Sequence, residues 1–218
     1  MTYLPFSKGL ASNRFSGGTR TVTQATSTLQ QTRQPSLIEG ISWETFEAIE
    51  AAFASVAGIR LAYLDGVIEL MPISDDHEEL KSTLGRLLEV YMRAMGIRYY
   101  VRGGPSLGSK GDAARRQPDE SYNIGTKKDR ADIAIEVVLT SGGIDKLACY
   151  QRFGIPEVWF WQEGSLRLYG LREGAYQQVF VSQFLPDLDL AELVAAANLP
   201  DQYDAVTAYM ERDHQSPR

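Results

Sequence analysis

The run Ala131-Asp132-Ile133-Ala134-Ile135-Glu136-Val137-Val138-Leu139 constrains this chain more than any other stretch. Its composition is that of a buried strand. A period of two puts Asp132, Ala134 and Glu136 on one face and Ile133, Ile135 and Val137 on the other. Both neighbours of Glu136 are apolar, so its carboxylate belongs to a central, largely buried strand. An uncompensated charge there is costly. The pattern alone leaves three answers open: a buried salt bridge, an edge position, or a divalent cation shared with a second carboxylate. Asp119 is the candidate partner. It stands in Pro118-Asp119, seventeen residues before Glu136, at the start of the preceding strand. Pro-Asp is also a common turn dipeptide, so Asp119 by itself says little.

Lys146 follows Glu136 by ten residues. Ser141-Gly142-Gly143 breaks the strand, and a short helix from Ile144 to Phe153 places Lys146 in its first turn. From there the ammonium can reach back to the C-terminal end of the Glu136 strand. A lysine at such a place is ordinarily a solvated surface residue. With two carboxylates it completes the set that phosphodiester hydrolysis needs. The carboxylates hold Mg²⁺ (or Mn²⁺), and the metal activates water and stabilises charge on phosphorus. The lysine orients or deprotonates that water, or neutralises the phosphate.

Around this centre the order of elements predicts one α/β domain built on a mixed sheet. Ser42 is an N-cap for a helix carrying Trp43, Phe46, Ile49 and Phe53, which Gly58 closes. Strands 59–63 and 67–71 flank Asp65-Gly66, a two-residue hairpin turn. Asp75 and Asp76 cap a helix to about Met95 with the stripe Leu80, Leu84, Leu87, Leu88, Tyr91 and Met92. Strands follow at 97–102 and 118–124. Beyond the central strand and its helix, Gly154-Ile155-Pro156 leads into 157–161, a hairpin spans 165–171 and 176–181, and helices cover 188–197 and 202–212. No internal repeat is present.

Residues 1–36 are of another kind. They are rich in Ser, Thr, Gln and Gly, and carry Lys8, Arg14, Arg20 and Arg33 with no Asp or Glu. Too little apolar surface is available to offset the ordering entropy, so a mobile tail is expected. An organellar transit peptide and a loose phosphate-binding arm are the alternatives. The domain proper is then 37–218, ending in helices. The net charge of −6 argues against a surface that clings to nucleic acid everywhere, though carboxylates of a metal site would raise the acid count. Cys149 is the only cysteine, which rules out an intramolecular disulfide and suits a reducing cytoplasm. No apolar run reaches the roughly 18 residues of a membrane span.

The stretches Gln117-Pro118-Asp119, Ala131 to Val137, Asp145 to Tyr150 and Phe153-Gly154-Ile155-Pro156-Glu157-Val158-Trp159 resemble the Uma-two family of restriction endonucleases. Leu64 to Pro72 and His77 look like that family's opening hairpin and helix. The resemblance spans about residues 41–185. It implies a PD-(D/E)XK, restriction-endonuclease-like core, a mixed central β-sheet flanked by α-helices. It also implies Asp119 and Glu136 as metal ligands and Lys146 as catalytic lysine. The superfamily's usual lysine position holds Val138, so in this family the lysine has moved to the next helix. Relatives often carry Pro where Ala131 stands, and a Ser-Pro loop where this chain has Val-Leu-Thr-Ser. The implied activity is Mg²⁺-dependent cleavage of nucleic acid, DNA above all. The alternative is a non-catalytic nucleic-acid or protein-binding module that has kept the fold.

Secondary candidates fill out the picture. His77 falls on the inward stripe of its helix and can orient a ligand or the water. Against this stands a core-edge histidine bonded to backbone. Glu69 shares a face with Val67 and Met71 and reads as structural, and Tyr150 as packing. Arg102, Lys110, Arg115, Arg116, Lys127, Lys128 and Arg130 can form a basic rim for a phosphate backbone, or be ordinary charged turns. By analogy with the fold, a homodimer is allowed for, with the strand bearing Trp159 and Trp161 and its hairpin as interface.

Overall fold

The computed structural model describes residues 34–139 and 143–213, and these fall within one compact unit. Most of the basic N-terminal segment and most of the Ser141-Gly142-Gly143 break therefore lie outside the described residues. In chain order the elements are β1 (Ser36–Ile38), α1 (Trp43–Phe53), β2 (Ile59–Leu64), β3 (Val67–Pro72), α2 (Asp75–Ala94), β4 (Tyr99–Val101) and β5 (Ala114–Arg115). Then come β6 (Glu120–Ile124), β7 (Ile133–Val138), α3 (Lys146–Phe153), β8 (Glu157–Gln162), β9 (Ser165–Arg172), β10 (Ala175–Val179), α4 (Leu190–Ala197) and α5 (Gln202–Asp213).

The α/β expectation holds, but the strands divide into two sheets where one was expected. A small sheet runs β1-β3-β2-β5 and a larger one β10-β9-β8-β7-β6-β4. Only the larger is mixed: β7 and β8 are parallel, and its other pairs antiparallel. A parallel neighbour needs a crossover, and α3 supplies it. The two strands that sequence reading missed explain the difference. β1 and β5 have three and two residues, too short to show an alternation.

Local chemistry accounts for most boundaries. Ser42 Oγ accepts from the Thr45 N–H at 3.2 Å and starts α1. That helix stops at Phe53 rather than at Gly58, because the next residues bring nothing to bury; Val56 is 43% exposed. Asp65 and Gly66 both have positive φ, 47° and 89°, which is the backbone a two-residue hairpin turn demands. Ser74, not Asp75 or Asp76, caps α2, accepting from the His77 N–H at 3.3 Å. Asp145 caps α3 and left-handed Gly154 ends it.

The predicted two-faced strand β7 separates two cores. Ile133, Ile135 and Val137 pack with Trp159, Trp161 and the stripe of α2, joined by α4 and α5. On the other face Ala134 meets Cys149, Tyr150 and Phe153 of α3, together with Ala62 and Ala114 of the small sheet. Trp159 and Trp161 are buried in the first core. Cys149 is fully buried, and burial pushes its thiol up to about 12. It behaves as a small apolar side chain. Among the described residues no helix is long and apolar enough to cross a membrane.

Candidate functional site

The site lies where the two sheets meet. On β2 and β3 the residues facing the larger sheet include Ala62 and Val67; in the same alternation stand Arg60 and Glu69, with Ala62 paired to Glu69 in register. From the larger sheet comes Glu136 of β7. Asp119 directly precedes β6 and straddles Glu136. Its N–H donates to Ile135 O at 3.0 Å, and its Oδ2 accepts from the Val137 N–H at 2.7 Å. Both carboxylates are buried, at 3% and 1% exposure.

Glu136 is held by four donors. Arg116 grips it with two: Nε reaches Oε1 at 2.7 Å and Nη2 reaches Oε2 at 2.8 Å. Lys146 Nζ donates to Oε2 at 3.1 Å, and the Tyr150 hydroxyl donates to Oε1. Burial would raise this carboxyl's pKa, but the charges of Arg116 and then Lys146 outweigh burial and hold it well below the usual carboxylate range. The Tyr150 hydroxyl, buried and facing an anion, is held protonated and so remains a donor. Arg116 also donates to Glu69 Oε2 at 3.1 Å. One guanidinium thus ties β3 of the small sheet to β7 of the larger. Glu69 Oε1 has no hydrogen-bond partner among the described residues. Gly143, at φ 99°, lies so close over it that any Cβ there would collide.

Asp119 has its own set of partners. Arg60 Nη1 donates to Oδ1, and His77 Nε2 stands 3.1 Å from Oδ2. The His77 Nδ1 lies 3.3 Å from Glu78 Oε1, and Arg60 Nη2 lies 3.5 Å from the same oxygen. Lys81 completes this outer edge at 2.5 Å from Glu78 Oε2. A cavity of about 170 Å³ opens beside these groups, lined by His77, Lys146, Glu69, Val137 and Leu139 among others.

The structure therefore gathers all four expected residues. They form two adjoining sets, Glu136 with Lys146 and Asp119 with His77, joined where Asp119 bonds the β7 backbone on either side of Glu136. Tyr150 does more than pack, since it fixes Glu136. Of the residues named for a basic rim, one is internal and five others have partners within the chain. Arg116 is 2% exposed and internal, Lys110 pairs with Glu44, and Arg115 pairs with Glu50 and lies over the Trp43 ring. Arg102 and Arg130 donate to backbone carbonyls, and Lys128 clamps Asp132. Sequence reading missed Arg60, Arg116, Glu69 and Glu78 as members of the site. The available signal was the charged Arg60 and Glu69 on core-facing positions of a hairpin, where an unpaired charge is costly.

Burial, then the Arg60 charge, lowers the His77 pKa from 6.5 despite the neighbouring carboxylates. The folded protein therefore resists a proton that the unfolded chain accepts. Stability from this residue is complete above about pH 6.5 and declines as the pH falls through that value toward the lowered folded pKa. Chemical denaturation across pH 7 to 5 should show this decline, and His77→Asn should flatten it. An unchanged slope in the variant would assign the decline elsewhere.

Two carboxylates offer the hard oxygen donors that Mg²⁺ takes, usually one or two from protein with water completing the shell. Among the described residues no three His, Cys, Asp or Glu side chains gather as a metal set, so Asp119 and Glu136 are the donors to weigh. Glu136 accepts four bonds, the full capacity of a carboxylate, and Asp119 accepts three. A cation would be held here only in exchange for one of these donors. The donors able to yield are Lys146 and Arg60, whose side chains are 11% and 17% exposed; Arg116, at 2%, has no comparable outlet.

The family model Uma2, described as "Putative restriction endonuclease", matches residues 43–201. No curated protein matches the chain.

Proposed function

We propose, from the premise that this chain belongs to the Uma2 family and has its restriction-endonuclease-like α/β fold, that it hydrolyses phosphodiester bonds of DNA with the help of Mg²⁺ or Mn²⁺. The observation that carries this reading is that the Glu136–Lys146 and Asp119–His77 pairs lie side by side, bridged by the β7 backbone, with Lys146 and His77 lining a cavity.

Asp119 and Glu136 would hold the cation, exchanging the Arg60 and Lys146 contacts for it. The bound metal supplies Lewis acidity toward phosphorus and a lowered pKa for water. The protein's own groups do the rest. Arg116 and Tyr150 hold Glu136 in one orientation through bonds that survive the exchange. The Val137 N–H fixes Asp119 in the same way. His77 is neutral near pH 7 and bonded to Asp119 Oδ2, so it orients that carboxylate without adding charge. Lys146, released from Glu136 but lining the cavity, places an ammonium where phosphate charge develops. Glu136, Tyr150, His77 and Lys146 stand on strands and helices, while Arg116 and Asp119 lie in the segment between β5 and β6.

A second reading has one observation in its favour. Every carboxylate of the cluster already has a cation beside it, as a module that binds nucleic acid or protein without cutting it would need. Cleavage separates the two. Single- and double-stranded DNA incubated with Mg²⁺ or Mn²⁺ should be cut by the native chain and left intact by Glu136→Ala. If native chain and variant both leave it intact, the non-catalytic reading stands.

A further inference from the structure

We propose that Arg60 is the residue that grips the substrate phosphate, and that in the resting site it occupies Asp119 as a stand-in for the metal. This rests on the reading of Asp119 and Glu136 as cation ligands and adds the handover between cation and substrate.

Charge balance leads to it. Four carboxylates (Glu69, Glu78, Asp119, Glu136) face four cations (Arg60, Lys81, Arg116, Lys146) in the resting cluster. A divalent cation arriving on Asp119 breaks that balance and repels the guanidinium sharing its oxygen. Arg116 cannot move in response, because it holds two buried carboxylates at once. Arg60 can. One arm of its fork holds Asp119 and the other only brushes Glu78 at 3.5 Å. Glu78 is 42% exposed and Asp119 1% by side chain, so the route away from Asp119 leads outward. The diester brings one negative charge, and a planar guanidinium matches two phosphate oxygens as an ammonium cannot. Cation and phosphate therefore bind in support of one another, with Arg60 passing from carboxylate to phosphate.

Arg60→Met and Arg60→Lys test this. Mn²⁺ affinity is read by electron paramagnetic resonance of the free ion. Affinity for a short single-stranded oligodeoxynucleotide is read by anisotropy in Ca²⁺. Removing the competitor should tighten Mn²⁺ binding by Arg60→Met about tenfold, while oligonucleotide binding weakens by about tenfold. Arg60→Lys keeps the competing charge without the fork, so its Mn²⁺ affinity should stay near native while oligonucleotide binding falls. Opposite signs in the methionine variant cannot come from general loosening of the fold, which would weaken both. If both affinities fall together, or neither moves, Arg60 has no such role. If the native chain and both variants bind no Mn²⁺, the metal reading itself fails and this one with it. Native-like Mn²⁺ binding in Arg60→Met removes the role of Arg60 alone.

Discussion

Arg116→Met should lower the stability of the protein by about 3–5 kcal/mol, the cost of breaking a buried ion pair by deleting one partner. Glu69 and Glu136 are each 1% exposed and both lean on this guanidinium. Without it Glu136 keeps Lys146 and Tyr150, while Glu69 keeps no partner among the described residues. The two carboxylates then confront one another across the junction of the sheets. Urea denaturation of the variant should show this as an earlier midpoint at nearly unchanged slope. Neutralising the whole triad, as Glu69→Leu with Arg116→Met and Glu136→Leu, should recover most of the loss, because the one charge left without its partner, Lys146, lines the cavity and can turn into it. A loss below about 1 kcal/mol for Arg116→Met would mean that water or movement of Lys146 compensates the carboxylates instead.

Lys146→Ala should behave in the opposite way. Its ammonium is one of four donors to Glu136 and the most exposed of the ion-paired ones there, so the fold should lose little. Cleavage should fall by on the order of 10²–10³, as when a group that stabilises developing charge is removed. The loss should appear in kcat and in kcat/KM alike, the mark of an interaction made in the transition state. Mn²⁺ affinity should hold or rise, since a competitor for Glu136 Oε2 has gone. Loss of metal binding in step with activity would make Lys146 a structural prop of Glu136 instead.

Much of this was legible in the sequence, for physical reasons that differ from residue to residue. The alternation of β7 announced both its burial and its two faces, because a period of two leaves few options. The Asp65-Gly66 turn, the caps Ser42 and Gly154 and the stripe of α2 are local chemistry and appear where expected. Glu136 was visible as a buried charge needing compensation. What compensates it was not, since the pattern allowed a salt bridge or a metal, and the structure shows the salt bridge. Its partner Arg116 lies in an irregular stretch just after the two-residue β5, and nothing local marks that arginine as internal. Arg60 and Glu69 become neighbours of the site only because a second sheet packs across the first. That meeting depends on strands too short to leave a period. His77 was placed correctly through helical geometry, while Glu78, one residue on, joined the cluster through a long side chain rather than through its helical face.

Asp119 and Glu136 are proposed to exchange their internal cations for a divalent metal. A Mn²⁺ titration of the native chain tests this most directly, with Asp119→Asn alongside and folding verified for both. The native chain should show one saturable site, and Asp119→Asn should lose it. A native chain that is folded and yet binds no Mn²⁺ would show that arginine and lysine are the permanent occupants of this cluster, and the metal-dependent mechanism would be wrong.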